Sequence, residues 1–350
     1  MSNNEQQIKC VIWDLDNTVW EGVLSEGGAG ALLPGVAETI RELDRRGIVQ
    51  SVSSKNDFDN ARKQLEEKGL WDYFLCPQIS WNSKSEGIRT ILELLNIKEE
   101  AAAFVDDSAF ERDEVRFVLP KIRAYDAALA GSIPEFPEFQ VRFVTEDAAR
   151  RREMYRADLE RQSAEEAFAG SNEDFLSTLH MKLAIEPVTE PALQRVEELT
   201  IRTHQLNSTG YTYSYEELLK LIRSPRHRFY ICELTDDYGT SGKVGLLLME
   251  ESEEALTIKL LIVSCRVMTR GIGTALLCFA TKQAAETGKP LRAEFLETDY
   301  NRIMYITYKL SGFEEIEEDG DRVLLEYQHA EPMEYPEYLE IQEGGNYEPQ

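Results

Sequence analysis

The stretch Cys10-Val11-Ile12-Trp13-Asp14-Leu15-Asp16-Asn17-Thr18 passes in one step from an apolar run to a polar cluster holding two carboxylates. Consecutive apolar residues without alternation read as a strand buried on both faces. Pro34 then opens a helical stretch to Arg46 and Gly47 closes it, proline at the entrance and glycine at the exit. Ile48 to Ser53 reads as a second strand. Asp57 can cap a helix to Lys68, Lys84 starts a helix through Leu95, and Ala102 to Val105 reads as a further strand. Strands alternating with amphipathic helices predict an α/β domain: a Rossmann-like parallel sheet with helices on both faces. Such sheets bind ligands beyond the carboxyl ends of their strands. The polar clusters fall at those ends: Asp14 to Thr18, Ser53-Ser54-Lys55-Asn56 and Asp106-Asp107-Ser108.

Two acids as close as Asp14 and Asp16 repel unless a cation is shared or one is protonated. Mg2+ prefers oxygen ligands and helps neutralise a transferring phosphoryl group. The expected metal set is Asp14, Asp16, Asp106 and Asp107. Asp14 is the expected nucleophile and Asp16 the acid that protonates the leaving oxygen, then the base for water. Ser54 can donate to a phosphoryl oxygen, and Lys84 supplies positive charge. Thr18, Lys55 and Asn56 are expected as substrate contacts. The intervals from Asp14 to Ser54 (40 residues) and from Ser54 to Lys84 (30 residues) leave no room for a lid domain. An open site suits a substrate carried on a large molecule.

The four clusters together resemble the motifs of the haloacid dehalogenase superfamily over residues 8 to about 125. The surrounding sequence is more specific. Trp13-Asp-Leu-Asp-Asn-Thr-Val-Trp20-Glu-Gly-Val-Leu24, Ser54-Lys55-Asn56-Asp57, Lys84-Ser-Glu and Asp106-Asp-Ser-Ala-Phe-Glu-Arg112 resemble the FkbH-like family. The likeness continues through Val144-Thr-Glu, Met154-Tyr155-Arg156 and Arg202-Thr203-His204-Gln205-Leu206-Asn207. It implies a role in polyketide biosynthesis: removing phosphate from 1,3-bisphosphoglycerate and delivering the glyceryl unit to the phosphopantetheine thiol of an acyl carrier protein. Ser108 stands where family members often have asparagine, and Ser53 where some have cysteine. An acidic carrier would need a basic patch, for which Arg112, Arg116, Lys121 and Arg123 or the run Arg150-Arg151-Arg152 are candidates.

Further along, an apolar strand over Leu260 to Ser264 leads into Arg270-Gly271-Ile-Gly273, a glycine-rich turn opening a helix. With Asn301, Tyr305, Tyr308 and Gly312-Phe313 downstream, this part resembles the GNAT acetyltransferase fold, an α+β domain. The resemblance implies that the turn holds the pyrophosphate of coenzyme A and that Tyr308 protonates a departing thiolate. Met268 occupies the place where that pattern usually begins with glutamine or arginine. A carrier-borne pantetheine arm lacks the pyrophosphate bridge and remains compatible. Arg270, Gly271, Gly273, Tyr308 and His204 are therefore candidate acyl or pantetheine contacts, with packing or surface roles as the alternative for the tyrosine and the histidine.

The expected organisation is a catalytic domain over 1–130, a linker and connecting helix over 131–173, the acetyltransferase-like domain over 174–330 and an acidic flexible tail over 331–350. The formal charge of −26 argues against nucleic acid or an anionic membrane as partner. No apolar run approaches the ~20 residues that span a bilayer. The polar start, Met1 to Gln7, shows no leader, so the cytoplasm is the expected location. Five scattered cysteines without a C-x-x-C pair read as free thiols, and four unclustered histidines give no zinc site. Two rival readings are a plain phosphatase, acting on another metabolite or protein with the second domain as a scaffold, and an acyl-coenzyme A-dependent acyltransferase. A non-catalytic interaction module is a third.

Overall fold

A computed structural model describes residues 7–344, which divide into two compact units, up to Leu159 and from Glu160 onward. In the first unit β1 (Cys10–Trp13), β2 (Val49–Ser54), β3 (Gln78–Ile79), β4 (Ala102–Asp106) and β5 (Arg123–Asp126) form one parallel sheet in the order β3-β2-β1-β4-β5. Alternate residues of β1 enter opposite cores: Val11 and Trp13 pack on one face, Cys10 and Ile12 on the other. That two-sided burial explains the unbroken apolar run, since neither face of the strand meets water. The helices Val36–Arg45, Phe58–Glu67, Lys84–Leu94 and Ala109–Val118 are the crossovers. Asp57, Ser83 and Ser108 cap the last three, each side-chain oxygen accepting from a backbone N–H three residues on.

The second unit carries an eight-stranded sheet: β6 (Met181–Pro187), β7 (His227–Asp236), β8 (Gly239–Glu251), β9 (Leu256–Val263), β10 (Leu291–Leu296), β11 (Phe313–Asp319), β12 (Arg322–Tyr327) and β13 (Leu339–Glu343). The order is β11-β12-β10-β9-β8-β7-β6-β13, antiparallel except for β9 with β10 and β6 with β13. Helices Leu193–Arg202 and Ile272–Thr287 contribute to separate cores, with Leu246 and Leu248 of β8 in one and Leu247 and Met249 in the other. The expected class, α/β followed by an acetyltransferase-like α+β unit, describes the chain. Among the described residues no helix is long and apolar enough to cross a membrane, and all five cysteines are free.

Two expected boundaries move. The segment read as a linker from residue 131 belongs to the first unit, because Ile133 and Phe139 are completely buried in its core. Proline and glycine there fall in short 3-10 turns of the first unit. Arg151 and Arg152 hold Gly47 and Asp44 through contacts of 3.1 and 2.8 Å, so this basic run serves the first unit's own packing. The helix Arg151–Ala167 then carries the chain across the boundary at Leu159.

The expected flexible tail is likewise ordered through Glu343, while residues 345–350 lie outside the described residues. Leu339 is buried and pairs with Met181 in a parallel ladder, and Met333 and Glu334 bond to helix Ile272–Thr287 at Thr281 and Cys278. Acidic residues interleaved with Leu339 and Ile341 form a half-exposed edge strand, where charge guards an open edge. Leu339→Ala should therefore cost about 2–5 kcal/mol of stability, read by urea unfolding of the full chain. An unchanged midpoint would mean the strand contributes nothing.

Candidate active site

Register builds the site. Trp13 is opposite Val52 on one side and Val105 on the other, so the next residues, Asp14 and Asp106, stand side by side at the carboxyl ends of β1 and β4. The Asp14 N–H donates to the Val105 carbonyl at 2.9 Å and fixes that exit. Lys84 enters from the first turn of its helix, with Nζ 2.9 Å from Asp14 Oδ1 and 2.5 Å from Asp106 Oδ2. The Ser53 hydroxyl donates to the Lys84 carbonyl at 3.1 Å and steadies that turn. Asp14, Ser54, Lys84 and Asp106 are all buried at the base of the site.

Carboxylate oxygens of Asp14, Asp106 and Asp107 lie within 4.8 Å of one another. Three carboxylates against one lysine leave an excess of negative charge in a partly buried place. Burial pushes the Asp14 carboxyl up to about 6; Lys84 pulls it down and Asp106 adds to the rise. Burial also raises Asp106, against the pull of Lys84, and raises Asp107, with Asp14 adding to it. For Lys84 burial works toward a lower pKa, but Asp14 and Asp106 outweigh it and hold the ammonium charged. A hard divalent cation matches this all-oxygen donor set and its charge excess.

Asp16 departs from the expected metal set. Its Oδ1 accepts from the Trp20 indole at 2.9 Å and the Leu24 N–H at 3.1 Å, and its Oδ2 accepts from the Asn56 amide at 3.1 Å. The carboxylate is held by protein donors, outside the three-acid cluster. Asn56 also donates to the Ser54 hydroxyl at 3.2 Å, so it positions two expected site residues and is itself buried. Thr18 is a strut as well: fully buried, its hydroxyl lies 3.4 Å from Asp14 Oδ2 and accepts from the Asp107 N–H at 3.1 Å. Lys55 pairs with Glu111 at 2.7 Å on the rim.

The sequence alone assigns no part in the chemistry to Trp20, Ser53 or Arg112. Arg112 donates to the Asp106 carbonyl at 2.6 Å and pairs with Asp126 at 2.7 Å, which uses the residue as a clamp on the strand end. In the sequence it stands out only as the end of the Asp106–Arg112 stretch and as a basic residue, with nothing to mark it as a clamp. Trp20 could be suspected from the cost of leaving an indole N–H unbonded in a core.

Residues 19–113 match the model of the haloacid dehalogenase-like hydrolase family. The match begins after Asp14 and Asp16. A solved structure from Bacteroides fragilis, the N-terminal part of protein BF1531 containing a phosphatase domain complexed with Mg, is 30% identical over 41% of this chain, with a TM-score of 0.34. The matched part spans 42% of that protein's chain. The PaiA N-acetyltransferase of Thermoplasma acidophilum, solved with coenzyme A, is 19% identical over 42% of this chain and 99% of its own, with a TM-score of 0.35. The Escherichia coli ribosomal-protein-S18-alanine N-acetyltransferase is 15% identical over 44% and 99%, with a TM-score of 0.33. No curated protein matches the chain significantly.

The candidate acyl contacts of the second unit do not converge on an open site. Arg270 is buried, with Nη1 3.6 Å from Asp236 Oδ2, beside the Arg161–Asp236 pair at 2.7 Å. Gly271 faces the Tyr338 hydroxyl, and Gly273 packs against Thr307 and Val263. Tyr308 is completely buried, and His204 is half-buried. A left-handed backbone (φ +73°) and the nearby Tyr338 hydroxyl account for Gly271, while Gly273 has room for a side chain.

Proposed function

We propose that the chain is a Mg2+-dependent phosphatase and glyceryltransferase, which dephosphorylates 1,3-bisphosphoglycerate and loads the glyceryl unit onto the phosphopantetheine thiol of an acyl carrier protein. The observation that carries the phosphatase part is the gathering of Asp14, Lys84, Asp106 and Asp107 around one small volume at the sheet's carboxyl edge. The glyceryl part is supported by the FkbH-like residues on both units and by the absence of a lid between Asp14 and Lys84.

Asp14, Asp106 and Asp107 would hold the metal, which when bound supplies positive charge to the phosphoryl oxygens. Asp14 attacks the ester phosphorus, an O–P bond forms, and the bond to the sugar-acid oxygen breaks. Asp16 gives that oxygen a proton from Oδ2 and then takes one from the water that releases phosphate. Lys84 keeps its ammonium between Asp14 and Asp106, turned toward the charge that develops there. In the acyl step the carrier thiol attacks the carbonyl of the acyl phosphate: S–C forms, C–O breaks, and phosphate leaves with the thiol's proton passing to it or to solvent. No ATP is needed, because the acyl phosphate is already activated.

The test is intact-protein mass spectrometry of a holo carrier protein incubated with the enzyme, Mg2+ and 1,3-bisphosphoglycerate. A glyceryl mass shift, abolished by a chelator and restored by Mg2+, is expected. Steady phosphate release without any carrier shift would instead establish a plain phosphatase. One observation favours that second reading: Arg112, Arg116, Arg151 and Arg152 bond within the first unit rather than forming a free basic patch.

Asn56→Ala should lower turnover about 10–100-fold, the usual effect of losing a support behind a site residue. KM should stay near wild type, because Asn56 orients Asp16 rather than gripping substrate. A raised KM at full kcat would place Asn56 on the substrate instead.

A further inference from the structure

The parallel pair β9 and β10 is joined only at one end, with Leu291 to Ala293 beside Leu256 to Ile258. Beyond Ile258 the strands part. A fork of this kind leaves backbone N–H and C=O groups without strand partners, and buried groups of that sort must be satisfied. An extended amide-bearing arm, such as the pantetheine of coenzyme A, could lie in such a fork as an added strand.

Here the chain's own residues fill it. Leu206 to Ser208 run antiparallel to β9, with Asn207 opposite Ile262. The Val263 N–H donates to the Leu206 carbonyl at 2.9 Å, and the Ser208 N–H donates to the Leu261 carbonyl at 3.0 Å. The Leu261 N–H donates to the Ser208 hydroxyl at 2.9 Å. On the other side, the Leu296 N–H donates to the Ser208 carbonyl at 3.0 Å, so the segment bridges both prongs. Asn301 bolts it in place, its amide donating to the carbonyls of Asn207 at 3.0 Å and Leu296 at 2.8 Å. Asn207, Ser208, Asn301 and Tyr308 are all buried, and the Tyr308 hydroxyl makes no hydrogen bond among the described residues. At the glycine turn the Tyr338 hydroxyl lies close against Gly271.

We infer that the second unit is closed to thioester carriers: Leu206 to Ser208 serve as the missing strand of the β9–β10 fork, and neither coenzyme A nor a pantetheine arm enters it. The acetyltransferase-like fold is kept while the place for its acyl carrier is sealed by the chain itself. Acyl-coenzyme A-dependent transfer by this unit is thereby excluded, whatever the first unit acts on.

The full-length protein is titrated with coenzyme A and with acetyl-coenzyme A by calorimetry, and backbone hydrogen exchange is followed in parallel. No saturable binding is expected at millimolar ligand, and the amides of Ser208, Leu261, Val263 and Leu296 should be protected and indifferent to either compound. Saturable one-to-one binding, or those amides exchanging as fast as an open loop, overturns the inference. Asn301→Ala should speed their exchange about tenfold or more while Leu246 and Leu248 in the sheet stay slow. Exchange as slow as in the wild type would show that the segment is not bolted as inferred. If that variant does not fold, Ser208→Ala removes only the hydroxyl bond to Leu261. The Leu261 amide should then exchange faster, and an unchanged rate there would equally overturn the inference.

Discussion

Asp14→Asn should abolish phosphoester hydrolysis, with kcat down at least about 10³-fold, while the protein stays folded. The amide keeps the shape of the carboxylate but cannot form the phosphorylated intermediate, and loss of a covalent nucleophile has effects of that order or larger. Stability should move the other way in metal-free protein. The folded-state pKa of Asp14 is pushed up to about 6, mainly by burial, from an ordinary value of 3.8. A raised carboxyl pKa favours the folded state fully below the ordinary value, and that benefit is lost as pH rises through about 6. At pH 8 in chelator, wild type therefore carries a charge the fold disfavours, and Asp14→Asn does not. The variant should melt at or above wild type at pH 8, with its relative advantage shrinking toward pH 4. Added Mg2+ should stabilise the wild type more, because the variant offers one carboxylate fewer. Retained hydrolysis by a folded Asp14→Asn would remove the nucleophile from the reading.

Much of the first unit was legible because its rules are local. A four-residue apolar run, proline-in and glycine-out helix punctuation and polar clusters at strand ends each have one dominant physical cause, and all pointed to the same parallel sheet. The supports were less visible. Asn56, Thr18 and Trp20 sit among polar or aromatic neighbours, and only their three-dimensional partners show that they hold Asp16 and Asp14. The tail misled for a related reason: composition from Glu331 onward resembles a solvated segment, yet a strand needs only Leu339 and Ile341 on one face to join an edge. In the second unit the glycine turn at Gly271 and Gly273 pointed to the right fold, and Tyr338 lies against the first of them. A glycine permits close approach, and sequence alone does not say whether a ligand or Tyr338 makes it.

Lys84→Met should damage both fold and reaction, and the two losses are separable. The ammonium lies between two carboxylates, 2.9 Å from Asp14 and 2.5 Å from Asp106, and is itself buried. Methionine fills the volume and leaves the two acids facing each other without a cation. Removing one partner from a buried ion pair costs about 3–5 kcal/mol, to be measured by urea unfolding in chelator at neutral pH. Acidification should narrow the gap, because the Asp14 carboxyl, raised by burial and no longer pulled down by Lys84, takes up a proton and the repulsion goes with it. Mg2+ should also recover part of the stability by sharing the acids. It should not recover hydrolysis, which needs a donor aimed at the phosphoryl oxygens and should stay about 10²–10³-fold down. A Lys84→Met protein as stable as wild type and as fast would mean that the lysine neither balances the acids nor meets the phosphate. A variant that regained full turnover with Mg2+ would confine Lys84 to the charge balance of the fold.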